Sequence, residues 1–313
     1  MSKHTALFHR DYRQYSGGHQ KVYDYFGHFL AHPDWQAELA WSESSQPVAD
    51  TIWAGRADLC TTSYTPASAD LQFLAGMDWE AYLPRRPEPE KPVLNLVQHV
   101  RHAEPGANVY PFLSERAIRI CVSQEVESAI LATGRVNGPT FTIANGVDLD
   151  DLLARRHDPV PHSVYILGNK QPELAATLAN SLQSRGLAVT CHPDHQPRET
   201  VLAAMAAAEI AVLLPHATEG FYLPALEAMA LCRLVVVPDC VGNRGFCRDG
   251  ETCLQPKSEL PSLLDAVARA QHMLGGQAET DMQERARQQL EVHTLKRERA
   301  ALFELLDNLE SLW

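Results

Sequence analysis

The chain has 313 residues, 45% of them hydrophobic and 21% charged, the composition of an ordinary globular protein long enough for two domains. Its formal net charge of -12 argues against a general nucleic-acid binder and against a basic face held on anionic lipid. Seven cysteines, an odd number without CxxC spacing, fit reduced thiols in a cytoplasmic protein better than a disulfide framework, and Cys240, Cys247 and Cys253 are spaced too widely for a usual zinc site.

After Met1 the segment SKHTALFHRDY lacks the apolar run of a signal peptide, and no stretch reaches transmembrane length, so a cytoplasmic location is expected. Thr5 to His9 reads as a first strand. The SGG of Ser16, Gly17 and Gly18 then leads into a helix from about His19, with Val22, Tyr25, Phe26, Phe29 and Leu30 on one face. Paired glycines at a helix start allow close backbone approach and suit an anion or a sugar. Short strands are expected at Ala37 to Trp41 and Leu71 to Ala75. Asp78 follows the second, either facing a ligand or capping the next segment. The loop Pro84 to Lys91 leads to a strand at Val93 to Val97, and His99, Arg101 and His102 lie beyond its end. Ala117 to Val122 is a further strand, Ser123 caps a helix without a capping box, and a last strand ends in the NGVD turn of Asn145 to Asp148.

A second set of elements begins at Val164 to Leu167. Lys170 follows that strand, then a helix Glu173 to Ser184, a strand Leu187 to Cys191, and a polar loop in which His192 could meet a nucleobase. The strand Ile210 to Leu214, the turn His216 to Glu219, a helix with Pro224 in its first turn and the strand Leu234 to Val237 form a βαβ unit. Its loop would lie at the carboxyl end of a parallel strand, where ligands settle in open α/β sheets. Glu219 and Glu227 flank the helix start there, with seven residues between them. A helix N-terminus suits phosphate, and carboxylates beside it suit sugar or ribose hydroxyls, which together suggest a nucleotide sugar. Helices are expected at Leu260 to Met273 and from about Thr280 to the end, the latter with an apolar stripe of Leu302, Leu305, Leu306 and Leu309.

The string EGFYLPALEAMALCRLVV, from Glu219 to Val236, resembles the signature of glycosyltransferase family 4, close to EGFGLPxLEAMAxGxPVV. Tyr222 stands where the pattern has glycine, Cys232 replaces a second glycine and Leu234 a proline. The SGG loop, the NGVD turn and the GETCLQP segment at Gly250 to Pro256 resemble the same family. The resemblance implies an α/β GT-B fold: two Rossmann-like domains facing each other across a cleft, with the C-terminal helix crossing back to the N-terminal domain. On that scheme residues 1–155 are the acceptor-side domain, 156–292 the nucleotide-sugar domain and 293–313 the returning helix, a dimer contact being the competing use of its apolar stripe.

The activity implied is a retaining, metal-independent glycosyl transfer from a nucleotide diphosphate sugar, UDP- or GDP-linked, to an acceptor the sequence does not identify. No cofactor, nucleic acid or membrane span is implied. His99 and Glu219 would act at the reacting sugar. Gly17, Gly18, Lys170, Gly220, Phe221, Tyr222, Leu223, Glu227 and Arg244 would bind the donor, Glu227 at the ribose and the N–H groups of Phe221 to Leu223 at the phosphates. Relatives carry an arginine where this chain has Asn169, leaving Lys170, Arg244 and Arg198 as candidate cations for the diphosphate. The DxD at Asp148 to Asp150 overlaps the NGVD turn and is not read as a metal site. Two rival readings share the donor pocket: a GT-B epimerase or hydrolase of nucleotide sugars, and an inactive homologue serving as a binding subunit.

Overall fold

The structure, a computed structural model, describes residues 3–13, 15–45, 52–61 and 63–313. The chain forms two compact units, Met1–Asn145 together with Glu298–Trp313, and Gly146–Arg297. The sequence reading placed the divisions at 155/156 and 292/293.

The first unit is built on a seven-stranded, wholly parallel sheet: β1 His4–Arg10, β2 Trp35–Trp41, β3 Cys60–Thr61, β4 Leu71–Ala75, β5 Val93–Val97, β6 Ile118–Cys121 and β7 Thr140–Thr142, in the order β3-β2-β1-β4-β5-β6-β7. Every residue of β4, β5 and β6 is buried, which is why these strands read as continuous apolar runs rather than alternating ones. The two-residue β3 escaped the sequence reading because so short a pairing carries no period. Phe8 stacks on Phe73 with ring centroids 4.4 Å apart, and Phe26 and Phe29 of the helix Gly17–Ala31 meet it edge-on. The sheet changes direction of growth between β1 and β4.

The second unit holds a four-stranded parallel sheet: β8 Val160–Leu167, β9 Ala188–His192, β10 Ala208–Leu213 and β11 Leu234–Val236, in the order β11-β10-β8-β9. The short span between Lys170 and Glu219 leaves room for few strands, and few are present. Alternation across this sheet divides the core in two. Tyr165, Leu167, Ala211, Leu213 and Val235 pack on the face that carries the helix Leu223–Leu231. Val164, Ile166, Ile210, Val212 and Val236 pack on the opposite face with the helices Pro172–Gln183 and Leu260–Met273.

The terminal segment, expected as helix from about Thr280 to the end with 293–313 as the returning helix, consists of three helices, Gln277–Val292, Leu295–Asp307 and Leu309–Leu312. The break at His293 and Thr294 has a backbone cause. Val147 N donates to His293 O and Leu295 N donates to Val147 O, both at 3.0 Å, so the chain here pairs like a strand instead of continuing the helix. Beyond the break, Leu302, Leu305, Leu306 and Leu309 are buried, and Glu298 is wholly inaccessible.

Glu298 meets two partners from the helix Gly17–Ala31. Lys21 Nζ lies 2.6 Å from Oε2 and His28 Nε2 lies 3.1 Å from Oε1, while Lys21 also reaches Asp24 Oδ2 at 2.7 Å. Burial opposes charge on both Lys21 and Glu298, but the opposite charges outweigh it, raising the lysine pKa and lowering that of Glu298. Removing one member leaves a buried charge uncompensated. Glu298→Ala is expected to cost ~3–5 kcal/mol in urea unfolding, whereas Lys21→Met combined with Asp24→Asn and Glu298→Leu, which removes all three buried charges, should recover most of that loss. Equal destabilisation by the single and triple changes would refute the pairing.

Candidate functional site

In the second unit the strand order reverses between β8 and β10, and the loops leaving their carboxyl ends carry most of the residues singled out from the sequence. Gly168 ends the run of β8. Its N–H donates to His192 O at 2.9 Å, and a Cβ there would stand 2.0 Å from that of Ala175, so the helix Pro172–Gln183 can approach only a glycine. Gln171 Nε2 donates to Pro215 O at 2.7 Å, tying this loop to the one after β10. Across the same gap Lys170 Nζ lies 3.8 Å from Glu219 Oε1. Both side chains are partly exposed, so the pair is a loose one that a ligand can enter.

The loop that contains Glu219 and Gly220 is clamped from behind by Val241–Asn243. Val241 N donates to Ala217 O and Tyr222 N to Gly242 O, each at 2.9 Å. A Cβ on Gly242 would stand 2.6 Å from Phe221 N and 2.8 Å from Glu219 O, so only glycine permits this contact. The fully buried Asn243 holds the clamp in shape, donating to Pro238 O and accepting from Cys240 N. Reading the sequence directed attention to Arg244 in this GNRG segment and passed over Gly242 and Asn243. Arg244 itself is half exposed and forks onto Asp239, Nε to Oδ1 at 3.0 Å and Nη2 to Oδ2 at 2.7 Å.

Tyr222 precedes the helix Leu223–Leu231, and no side chain caps that helix start. From the sequence, Tyr222 stands where the family pattern has glycine and is assigned to donor binding. In the structure the ring is buried in the apolar cluster with Tyr165, Leu226 and Cys240. Its hydroxyl has no hydrogen-bond partner among the described residues, and burial, reinforced by Glu219, pushes its pKa well up. One expectation is corrected here: of the three N–H groups from Phe221 to Leu223 assigned to phosphate, that of Tyr222 is already committed to Gly242.

Glu227 lies in the second turn of this helix and is largely buried. Its Oε1 accepts from Arg198 Nε at 3.0 Å and lies 2.9 Å from Arg198 Nη2. Arg198 opens the helix Arg198–Ala206, directly after the polar loop that follows His192. His192 Nδ1 is 3.1 Å from the Tyr165 hydroxyl at the end of β9.

The first unit gathers the other sequence-derived residues at the carboxyl ends of β1, β4 and β5. Gly17 and Gly18 are the first residues of their helix, which starts two positions earlier than its apolar pattern indicates because Ser16 caps it, Oγ accepting from His19 N. Gln98 Nε2 donates to Gly18 O at 3.4 Å. His99 Nδ1 accepts from Arg101 N at 3.0 Å, which puts the proton of the neutral ring on Nε2. Arg10, at the end of β1, donates to Asp78 Oδ2 at 2.8 Å and to His19 Nδ1 at 3.0 Å. A guanidinium only donates, so His19 also carries its proton on Nε2. Asp78 caps no helix; it also accepts from Ala75 N at 2.9 Å and so fastens the end of β4. The Arg10–His19–Asp78 group was not assembled from the sequence, because its members are separated by other elements.

Two histidines of this unit resist protonation. Burial pushes His102 down to about 3, and Arg101 and His99 add to the effect. His19 is pushed to about 4 by burial and Arg10. Among the described residues no group of three or more His, Cys, Asp or Glu is arranged to hold a metal ion, and no helix is long and apolar enough to cross a membrane.

Comparison with known proteins bears on the fold and on the family that the chain resembles. Residues 129–272 match the family model of glycosyl transferases group 1. No curated protein sequence matches. Among solved structures, a glycosyltransferase from Rickettsia africae superposes with a TM-score of 0.69 at 13% identity, over 97% of this chain and 98% of that one. Sucrose-phosphate synthase from Thermosynechococcus elongatus gives 0.69 at 15%, over 99% and 100%. Anabaena HepE in complex with UDP-glucose gives 0.65 at 16%, over 97% and 99%. The fold is that of GT-B glycosyltransferases, with two parallel-sheet, Rossmann-like units. The match to the group 1 model, taken with the fold, supports a glycosyltransferase.

Two expectations follow from the burial pattern. Tyr222→Phe should change stability by less than about 1 kcal/mol, since it removes a hydroxyl that has no partner, whereas Tyr222→Gly should cost ~3–5 kcal/mol by emptying the core. Comparable losses in thermal unfolding would contradict the ring placement. The second concerns acid. Between pH ~6.5 and ~3 the unfolded chain binds a proton that folded His102 refuses, so its contribution to stability falls as pH falls, by up to about 1.4 kcal/mol per pH unit. In urea titrations from pH 7 to pH 5, His102→Asn should give a shallower decline than the wild type.

Proposed function

We propose that the protein is a retaining, metal-independent glycosyltransferase that moves a sugar from a nucleotide diphosphate donor to a hydroxyl-bearing acceptor. The observation that carries this reading is the pair of carboxylates at the β8/β10 switch point, Glu219 beside Lys170 and Glu227 at an uncapped helix start. Phosphate fits the helix N-terminus and Lys170, hydroxyls fit the carboxylates, and the two chemistries together describe a nucleotide sugar.

In this reading Lys170 and the Phe221 and Leu223 N–H groups receive the charge that develops on the leaving diphosphate. Glu219 accepts hydrogen bonds from the transferred sugar, and Glu227 does the same from the ribose. In the first unit taken by itself, His99 with its proton on Nε2 is suited to donate to a hydroxyl, and Gly17 and Gly18 suit close approach of a ligand to the backbone. The donor is a UDP- or GDP-sugar. HepE, which shares the fold, has been seen with UDP and with UDP-glucose, which favours UDP as the first nucleotide to try.

Donor turnover with a panel of sugar and lipid-linked acceptors tests the proposal. Transfer with retained anomeric configuration, insensitive to chelator, is the expected result, and Glu219→Ala or Glu227→Ala should lower kcat/KM by about 100-fold or more. Rapid consumption of donor without any acceptor would instead make the protein an epimerase or hydrolase. Loss of activity with chelator and its return with manganese would overturn metal independence. Tight nucleotide binding without transfer to any acceptor would favour a binding subunit.

A further inference from the structure

We propose that Arg198 is a positioning residue that sets the nucleotide's ribose preference by fixing the carboxylate of Glu227; the inference rests on the donor-site reading above. Two donors of one guanidinium converge on a single oxygen, Oε1, at 3.0 and 2.9 Å. A carboxylate has about four acceptor positions, two on each oxygen, so an arginine that occupies Oε1 fixes the plane of the group and presents Oε2 in one orientation. A glutamate side chain otherwise loses rotamer freedom when it binds a ligand, a cost that weakens affinity. Here that freedom is already lost before ligand arrives. The site is also one where a fixed carboxylate needs a cation, because Glu227 is largely buried and its helix is apolar on every side.

The arginine comes from a different element, the first residue of Arg198–Ala206, and so joins the polar loop after β9 to the helix of Glu227. Two hydroxyls on neighbouring carbons, such as the 2′ and 3′ hydroxyls of ribose, can both donate to an oxygen held in this way. A nucleotide without them gains nothing from it. Arg198 therefore acts through Glu227 and need not touch the ligand.

The experiment measures the dissociation constants of UDP, GDP and ADP, and of the 2′,3′-dideoxy form of whichever binds, by calorimetry on the full chain. The readout is the ratio of the dideoxy to the ribose constant. The wild type is expected to favour ribose by roughly tenfold or more. Arg198→Met should reduce that preference by roughly three- to tenfold, Arg198→Lys should restore part of it, and Glu227→Gln should lose most of it. Circular dichroism and melting establish that each variant is folded, and the lysine variant keeps the test open if the methionine variant is not. A merely structural arginine would weaken both nucleotides equally and leave the ratio at its wild-type value, which overturns the proposal. If the wild type binds a nucleotide with no ribose preference, the role of Arg198 falls while a phosphate site survives. If the wild type binds none of the three, the donor-site reading falls, and this proposal with it.

Discussion

The buried contact between Lys21 and Glu298 is the constraint on which the first unit depends. It fastens the end of the chain to the helix that begins with the SGG loop, and it does so with charges that water cannot reach. Such a pair is an inefficient source of net stability, because desolvation offsets most of its attraction. Its physical consequence is selectivity. Any other register of the segment after the His293–Thr294 break would bury Glu298 without a cation, leave His28 without its acid and leave Lys21 with Asp24 alone. The leucine stripe alone would tolerate a slide of one turn; the ion pair does not.

The second unit is organised around backbone proximity rather than charge. Gly242 lets one loop lie against another at van der Waals limits, and the hydrogen bond from Tyr222 N to Gly242 O fixes the start of the Leu223–Leu231 helix. This explains how the chain accommodates a tyrosine where its resemblance predicts glycine. The loop is held from the far side, so the ring can turn into the core without moving the main chain. The cost is a buried hydroxyl without a partner.

The legible part of the molecule was that governed by local pattern. Ten of the eleven strands among the described residues were located, most plainly those buried throughout, such as β4, β5, β6 and β10, which leave an uninterrupted apolar signal, and the EGFYLPALE string pointed to the switch-point loop at which Lys170 and Glu219 meet. What stayed hidden was pairing across the fold. Nothing near Glu227 in sequence announces Arg198, and nothing near Arg10 announces His19 and Asp78, because the sheet order decides which strand ends become neighbours. The direction of the Tyr222 ring and the use of its N–H were hidden for the same reason. Both depend on Gly242, which looks in sequence like an ordinary turn glycine.

The two glutamates differ in a way that bears on what each can do. Glu219 faces a lysine at 3.8 Å with both partners partly exposed, a long and loose contact that a ligand can separate at small cost. Glu227 is held by two guanidinium donors at 3.0 Å or less, largely out of water, where separation would strand a charge. In the proposed donor site, pairing each carboxylate with a cation would offset the repulsion that a protein of net charge -12 presents to a diphosphate. The loosely held Lys170 would turn toward the phosphates, whereas Arg198 would stay and keep the Glu227 oxygen aimed.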